Sequence, residues 1–260
     1  MNKLKKNKLK QKLKQRKITF GSWITIGHQN IAEIMAQSGF EWLTIDMEHS
    51  VITLDIAQQL IQVIESYDVV PLVRVGEKNA NLIKRVMDAG AYGIIVPMVN
   101  NKEDAKMAVN AVKYPSVGTR GVGLARAQGY GFNFDEYSGI INEQSIVIVQ
   151  IEHINGVNNL ESILSVDGID GCIIGPYDLS GSLGIPGKFN DTKFKSALDK
   201  VEKTCKKMNI PLGMHVIPPD YKEVKKYAEK GYTFLAISLD TLFIGTICRE
   251  QLKKAKEEIK

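Results

Sequence analysis

Eight short apolar runs alternate with eight amphipathic stretches along this chain, and few folds can absorb such a rhythm. The runs occupy residues 20–26, 42–46, 69–75, 92–97, 146–151, 169–174, 210–214 and 233–239. Several of them, such as IVIVQI, carry no polar alternate face, which is how strands covered on both sides read. Helical patterns fall between and after them, at 29–38, 53–66, 79–89, 101–112, 156–165, 191–208, 219–229 and 240–258. Ile56, Leu60, Val63 and Ile64 form one apolar stripe,. Gly39, Gly90 and Gly231 stand where helix C-termini take a glycine cap,. Eight strand–helix units in series predict an α/β fold, a (β/α)8 TIM barrel, and 260 residues suit one such domain,. A doubly wound open sheet fits six units better and ranks second.

Two stretches depart from the rhythm. Residues 114–145, rich in glycine and aromatics and carrying Arg120 and Arg126, separate the fourth helix from the fifth strand. A connection this long is commonly functional or disordered; its aromatics predict an ordered excursion near the barrel mouth. Residues 1–17 hold nine Lys/Arg and no Asp/Glu, with Leu4, Leu9 and Leu13 among them. They read as a short basic amphipathic helix with a solvated face, ahead of a barrel domain at 18–260. The net charge of +5 comes from this end, because the remainder holds 25 basic and 29 acidic residues. The globular body is therefore no general polyanion binder, and neither a nucleic-acid nor a membrane partner is expected. No apolar run approaches the ~18 residues of a membrane span, and no apolar stretch follows the charged start as a secretory leader requires. Cys172, Cys205 and Cys248 form no CxxC and read as reduced thiols, so a cytoplasmic location is expected,.

Barrel enzymes place their chemistry at the C-terminal ends of the strands. In this sequence those ends carry His28; Asp46, Glu48 and His49; Arg74; Pro97; Glu152 and His153; Gly175, Pro176, Tyr177 and Asp178; His215; and Asp240. All four histidines of the chain are among them. Glu152 and Asp178 end neighbouring strands, and two carboxylates side by side repel unless a cation or a shared proton intervenes. Such an oxygen pair with open positions suits Mg2+ or Mn2+; the alternative is that Asp178 caps a helix. His49 has the residue type of a general base, or it is a structural histidine bonded to Glu48 or Asp46. Arg74 inside an apolar strand needs an anionic partner, either a protein carboxylate or a substrate carboxylate. No lysine lies within or directly after a strand, so a Schiff-base mechanism lacks its amine,. No glycine-rich phosphate loop follows strands seven or eight, and GTRGVG at 118–123 lacks the Lys-Ser/Thr of a P-loop,.

The segments GSW at 21–23, IDMEHS at 45–50, PLVRV at 71–75, VMDAGAYGIIVPMV at 86–99, GTRGVG at 118–123, QIE at 150–152 and GPYDLSGSLG at 175–184, in that order, resemble the HpcH/HpaI aldolase family of metal-dependent class II pyruvate aldolases. The resemblance runs from about Leu9 to Ile247. It implies a divalent metal cofactor (Mg2+, Mn2+ or Co2+) on Glu152 and Asp178, and His49 as catalytic base paired with the acid Asp88. It further implies that Arg74 holds the pyruvate oxygen, with Gln150, Gly175 and Pro176 at the substrate and Asp46 supporting the histidine loop. The implied reaction is reversible cleavage of a 4-hydroxy-2-oxo acid to pyruvate and an aldehyde. The implied assembly is a homo-oligomer, a hexamer built as a trimer of dimers that exchange the last helix, with the Arg120 loop near the active site of the assembled particle. Two alternatives are a citrate-lyase-β-like enzyme acting on acyl-CoA, which would want a basic face that the body lacks, and a non-catalytic binding module using the basic N-terminus.

Overall fold

Eight parallel strands close on themselves in chain order: β1 (Thr19–Ile24), β2 (Trp42–Asp46), β3 (Val70–Arg74), β4 (Gly93–Val96), β5 (Ile146–Ile151), β6 (Gly171–Ile174), β7 (Leu212–Val216) and β8 (Phe234–Leu239). They belong to a computed structural model that describes residues 7–259; Leu4 and the lysines ahead of Asn7 lie outside the described residues. The helices are α1 (Lys8–Lys14), α2 (Gln29–Gln37), α3 (Leu54–Ser66), α4 (Ala80–Asp88), α5 (Lys102–Val112), α6 (Phe134–Gln144), α7 (Ile154–Asn158), α8 (Leu160–Leu164), α9 (Pro176–Ser182), α10 (Thr192–Met208), α11 (Tyr221–Glu229) and α12 (Asp240–Glu258). The (β/α)8 barrel read from the sequence is the fold observed. The pattern at 156–165 is two short helices that meet at Asn159, whose dihedrals (φ −98, ψ 9) leave the helical region. Helix α9 and helix α6 are additions to the eight expected.

Alternation along each strand separates two cores. Ile24, Leu43, Ile45, Val73, Ile94, Val147, Val149 and Leu235 face out and pack under the helices. Trp23, Trp42, Leu72, Ile95, Ile148, Ile173 and Phe234 face in and fill the barrel. The inner layer interlocks large with absent side chains: Trp42 stacks on Phe234 with ring centroids 4.0 Å apart. Gly21 lies opposite Trp42 in register, and a Cβ there would meet that ring at 2.1 Å.

The N-terminal end of the barrel is closed by α1. Leu9 and Leu13 are buried and belong to the inner core, so the apolar stripe of this basic helix is a plug while its remaining face meets solvent. Lys10 follows them inward, donating to the Ser145 carbonyl at 2.8 Å and pairing with Asp170. The 114–145 excursion is on this same side. It leaves α5 and returns to β5, so it packs at the N-terminal rim and not at the mouth that its aromatics suggested. Its Arg126 pairs with Glu65 at the end of α3 and donates to the Ala89 carbonyl at 3.2 Å.

Lys113, at the end of α5, is 2% exposed. Its Nζ donates to the Asn142 carbonyl at 2.6 Å and to Ser145 Oγ at 2.8 Å. Burial, helped by the charge of Lys10, pushes its pKa down to about 8 from 10.5. The ammonium is therefore costlier in the folded chain than in the unfolded one. Below pH 8 both states hold the proton and the penalty is felt in full; between pH 8 and 10.5 the unfolded state binds more protons, so stability rises with pH,. Urea unfolding of the wild type and of Lys113→Met should show the wild type gaining about 2 kcal/mol on the variant between about pH 7 and about pH 9.5. Parallel pH dependences in the two proteins would remove Lys113 as the cause.

Candidate active site

The inward ends of the strands turn polar at the C-terminal rim. Arg74 is the last residue of β3 and lies in register with Asp46, the last residue of β2. That register lets the guanidinium meet the carboxylate as a two-pronged fork, Nε to Oδ1 at 2.9 Å and one terminal nitrogen to Oδ2 at 2.6 Å. The other terminal nitrogen lies 3.2 Å from Glu48 Oε2. Burial works against the Arg74 charge, but Asp46, Glu48 and Glu152 outweigh it and raise the pKa above its ordinary value. The protein carboxylates thus account for part of the anionic environment that a buried arginine requires. Fork geometry is what distinguishes this guanidinium from an ammonium.

Asp46 does a second job. Its Oδ1 also accepts from the backbone N–H of Glu48 at 3.0 Å and of His49 at 3.3 Å, and its carbonyl accepts from Ser50 Oγ. The loop after β2 is folded around that one carboxylate, which presents His49 to the mouth with 67% of its side chain exposed. The carboxyl nearest the imidazole is Glu48, whose Oε2 is 3.8 Å from His49 Nε2. Burial pushes Glu48 up to about 7, and the nearby Glu152 charge adds to this against the pull of Arg74.

Across the mouth, Glu152 follows β5 and is 3% exposed. It accepts from the backbone N–H of Met98 at 2.7 Å and from Gln150 Nε2 at 2.5 Å. Met98 adopts a left-handed φ of +52, in the region that a side chain pays strain to enter. Burial raises the Glu152 pKa, the two hydrogen bonds oppose this, and the charge of Asp178 raises it further. Asp178 is exposed in the first turn of α9, behind the N-cap Gly175 and Pro176. A Cβ on Gly175 would come within 2.6 Å of Glu152 Oε2, so glycine is what leaves that oxygen its space.

This donor set fits a hard divalent cation. The Asp178 charge raises the proton affinity of Glu152, a repulsion that a positive charge beside the two would relieve, and an all-oxygen pair leaves positions for water and substrate. Among the described residues no group of three or more His, Cys, Asp or Glu that could hold a metal ion is present, so the carboxylate ligands available at this mouth are the pair Glu152 and Asp178.

Other expected site residues lie elsewhere. Asp88 is not brought to His49: it ends α4, at the opposite rim, where it pairs with the buried Arg120 at 2.5 Å and lies 3.4 Å from Gln128 Nε2. A helix that follows a strand runs back toward the strand's start, so the last residue of α4 cannot reach the mouth of its own barrel. His28 and His153 cap α2 and α7, their Nδ1 atoms accepting from Asn30 N–H at 3.2 Å and Asn155 N–H at 3.1 Å. Two of the four histidines at strand ends thus have a capping role. Asp240 is structural too, bonding the backbone N–H groups of Thr25 and Ile26 at 2.8 and 2.7 Å. His215 lies inside β7 and stacks on Trp23, ring centroids 4.5 Å apart. Trp23 stands in the sequence as part of GSW; its partnership with His215 depends on barrel closure and leaves no local signal.

Comparison with known proteins agrees with this geometry. Residues 19–244 match the family model described as HpcH/HpaI aldolase/citrate lyase. The chain is 36% identical over 260 residues to the 2-keto-3-deoxy-L-rhamnonate aldolase of Klebsiella pneumoniae, covering 99% of this chain and 96% of the relative. It is 35% identical over 244 residues to the hydroxypyruvate/pyruvate aldolase of Sagittula stellata, covering 94% and 95%. The crystal structure of an HpcH/HpaI aldolase/citrate lyase family protein from Burkholderia cenocepacia superposes with a TM-score of 0.91 at 31% identity, covering 96% of this chain and 99% of that one. Barrel and sequence similarity converge: the chain belongs to the HpcH/HpaI aldolase/citrate lyase family and is an enzyme of the carbon–carbon lyase class.

Proposed function

We propose that this enzyme is a class II aldolase that reversibly cleaves a 4-hydroxy-2-oxo acid to pyruvate and an aldehyde. The observation that carries the reading is the convergence of the Arg74 fork and the buried Glu152, beside Asp178, on one barrel mouth. The names of both aldolase relatives point to 2-oxo acid substrates. Glu152 and Asp178 would hold the divalent cation, whether Mg2+, Mn2+ or Co2+; when bound, it supplies Lewis-acid stabilisation of the charge that develops on the keto oxygen. Arg74 is pre-oriented by Asp46 and places fixed positive charge at that oxygen. Gln150 holds Glu152 and faces the same space. His49, aimed by Asp46, takes the proton from the C4 hydroxyl as the C3–C4 bond breaks. Gly175 and Pro176 shape the floor under the carboxylate pair.

Asp88 enters this reading only through another copy of the chain, since its own barrel keeps it at the far rim. That agrees with a homo-oligomer, and the exposed Ile244, Ile247 and Leu252 of α12 provide apolar surface for one. No helix among the described residues is long and apolar enough to cross a membrane.

A panel of 4-hydroxy-2-oxo acids tests the proposal. Pyruvate release should vanish on chelation with EDTA and return with Mg2+, Mn2+ or Co2+. Borohydride with pyruvate should leave no covalent adduct, because Lys78, the lysine closest in sequence to a strand end, is committed to Asp104 at 2.8 Å. A trapped lysine adduct would overturn the class II mechanism.

A further inference from the structure

The N-terminal end of the barrel carries a charge pattern for which the reaction has no use. Strands β7, β8 and β1 are neighbours in the barrel, and cations precede the start of each. Lys206 and Lys207 close α10 ahead of β7, Lys230 caps α11 ahead of β8, and Lys14, Arg16 and Lys17 lead from α1 into β1. Arg16 joins the first and last of these: its terminal nitrogen donates at 3.0 Å to Oδ1 of Asn209, the C-cap of α10. Residues 18–260 hold more acid than base as a whole, and the expectation of no membrane partner rests on that average. The fold does not spread the charge evenly.

The protein's own carboxylates do not consume this arc of charge. Asp170 is paired with Lys10 and Glu41 with Lys12. Glu161 takes Lys207 at 2.8 Å and Glu229 takes Lys225 at 3.7 Å. Glu202 accepts from the Tyr232 hydroxyl at 2.8 Å. Lys14, Arg16, Lys17, Lys206 and Lys230 make no ion pair with a described carboxylate; Arg16 is half-buried and the four lysines are exposed. The C-terminal ends of α1, α10 and α11 lie here too, each worth about half a negative charge, well short of five cations. Glu41 ahead of β2 and the exposed Asp167 ahead of β6 bound the arc on its two sides.

Apolar side chains stand within the basic arc. Ile18 and Phe20, 42% and 40% exposed, flank the start of β1 beside Lys17. Cations around exposed apolar groups suit the interface of an anionic bilayer, where the cations meet lipid phosphates and the apolar groups enter the headgroup boundary. A nucleic-acid backbone is met by polar donors, to which Ile18 adds nothing. We propose that this arc is a docking surface for an anionic lipid bilayer, holding the enzyme peripherally by the N-terminal end of its barrel. Parallel strands that start at the surface end away from it, so Glu152, Asp178 and His49 face solvent and the mouth stays open to a soluble substrate.

Sedimentation of the full chain with vesicles tests the proposal. Partitioning onto phosphatidylcholine vesicles that contain phosphatidylglycerol should exceed that onto phosphatidylcholine alone by at least about tenfold, and raising the salt from about 0.1 M to about 1 M should remove most of the difference. The triple variant Lys17→Glu, Lys206→Glu, Lys230→Glu should lose at least about 100-fold in partitioning, since each cation near such a surface contributes about fivefold. Lys188→Glu, Lys193→Glu, Lys195→Glu makes the same change of net charge on exposed lysines at the other end of α10, and should bind as the wild type does. Thermal unfolding of both variants separates loss of docking from loss of fold, and the wild-type preference needs no variant. Equal partitioning of the wild type onto the two kinds of vesicle overturns the proposal, as does equal loss in the two triple variants. Loss of the whole preference on deleting residues 2–6 would place it in the chain ahead of α1 and overturn the arc. Retention on single-stranded RNA with no vesicle preference would overturn the lipid surface in favour of nucleic acid.

Discussion

Asp178→Ala and Glu152→Ala should each lose divalent-metal affinity by at least about 100-fold, since even changes one shell further from a metal cost 10–100-fold. Each residue contributes one hard oxygen, and a single remaining carboxylate chelates weakly. The two variants should differ in stability. Asp178 is exposed in the first turn of α9, so its loss removes only a favourable charge at a helix N-terminus, about 0.3–1 kcal/mol. Glu152 is buried and accepts from Met98 N–H and Gln150 Nε2; its truncation leaves two buried donors unpaired, at about 1–3 kcal/mol each. Glu152→Gln is therefore the better probe, because it keeps volume and one acceptor while removing the charge. Equilibrium Mn2+ titration followed by calorimetry measures affinity apart from activity, and thermal unfolding without metal measures the fold. Wild-type affinity in a folded variant would remove that residue from the metal site.

Most of the barrel is legible in the sequence because its dominant signal is local. Strands buried on both faces read as continuous apolar runs, and all eight appear within about two residues of their observed positions,. Helix α9 is hidden because Pro176, Gly181 and Ser182 look like loop composition; its formation depends on Pro176 at the first helical position and on Leu179, which is buried. The end of the barrel at which the excursion packs is a matter of connectivity, and the aromatic content pointed to the wrong rim. Tyr114 and Tyr137 pack around the Arg120 guanidinium, with Cζ 4.7 and 5.7 Å from their ring centroids, in a structural role far from the mouth. For the candidate site, residue type and strand-end position single out Arg74, Asp46, Glu152 and His49, and the fold gathers these at one barrel mouth. Type and position are not enough to separate capping histidines from the others, because a helix start and a barrel mouth occupy the same stretch of sequence. Asp88 shows the reverse limit: a motif resemblance pairs it with His49, and the connectivity of α4 places it at the opposite rim on Arg120.

Replacing His49 and Arg74 should separate proton transfer from charge stabilisation. His49 is mostly exposed and is fixed through its backbone by Asp46, so His49→Ala should leave the fold and the arginine fork in place. Aldol cleavage should fall by ~10²–10⁴-fold, the range for losing a general base, chiefly in kcat because the imidazole acts on a proton in flight. Arg74→Lys keeps a positive charge but loses the fork. An ammonium cannot meet both oxygens of Asp46 in the plane that Nε and the terminal nitrogen now share, and it cannot reach Glu48 at the same time,. Two carboxylates are then under-neutralised beside Glu152, and the fixed charge at the keto oxygen is displaced. Exchange of pyruvate methyl protons with solvent deuterium forms the enolate with no aldehyde present, so it reports on Arg74 without the C4 proton transfer. Arg74→Lys should lose exchange and cleavage together, while His49→Ala should lose cleavage far more than exchange. Full exchange in Arg74→Lys with cleavage abolished would move the arginine from the keto oxygen to the aldehyde half of the substrate.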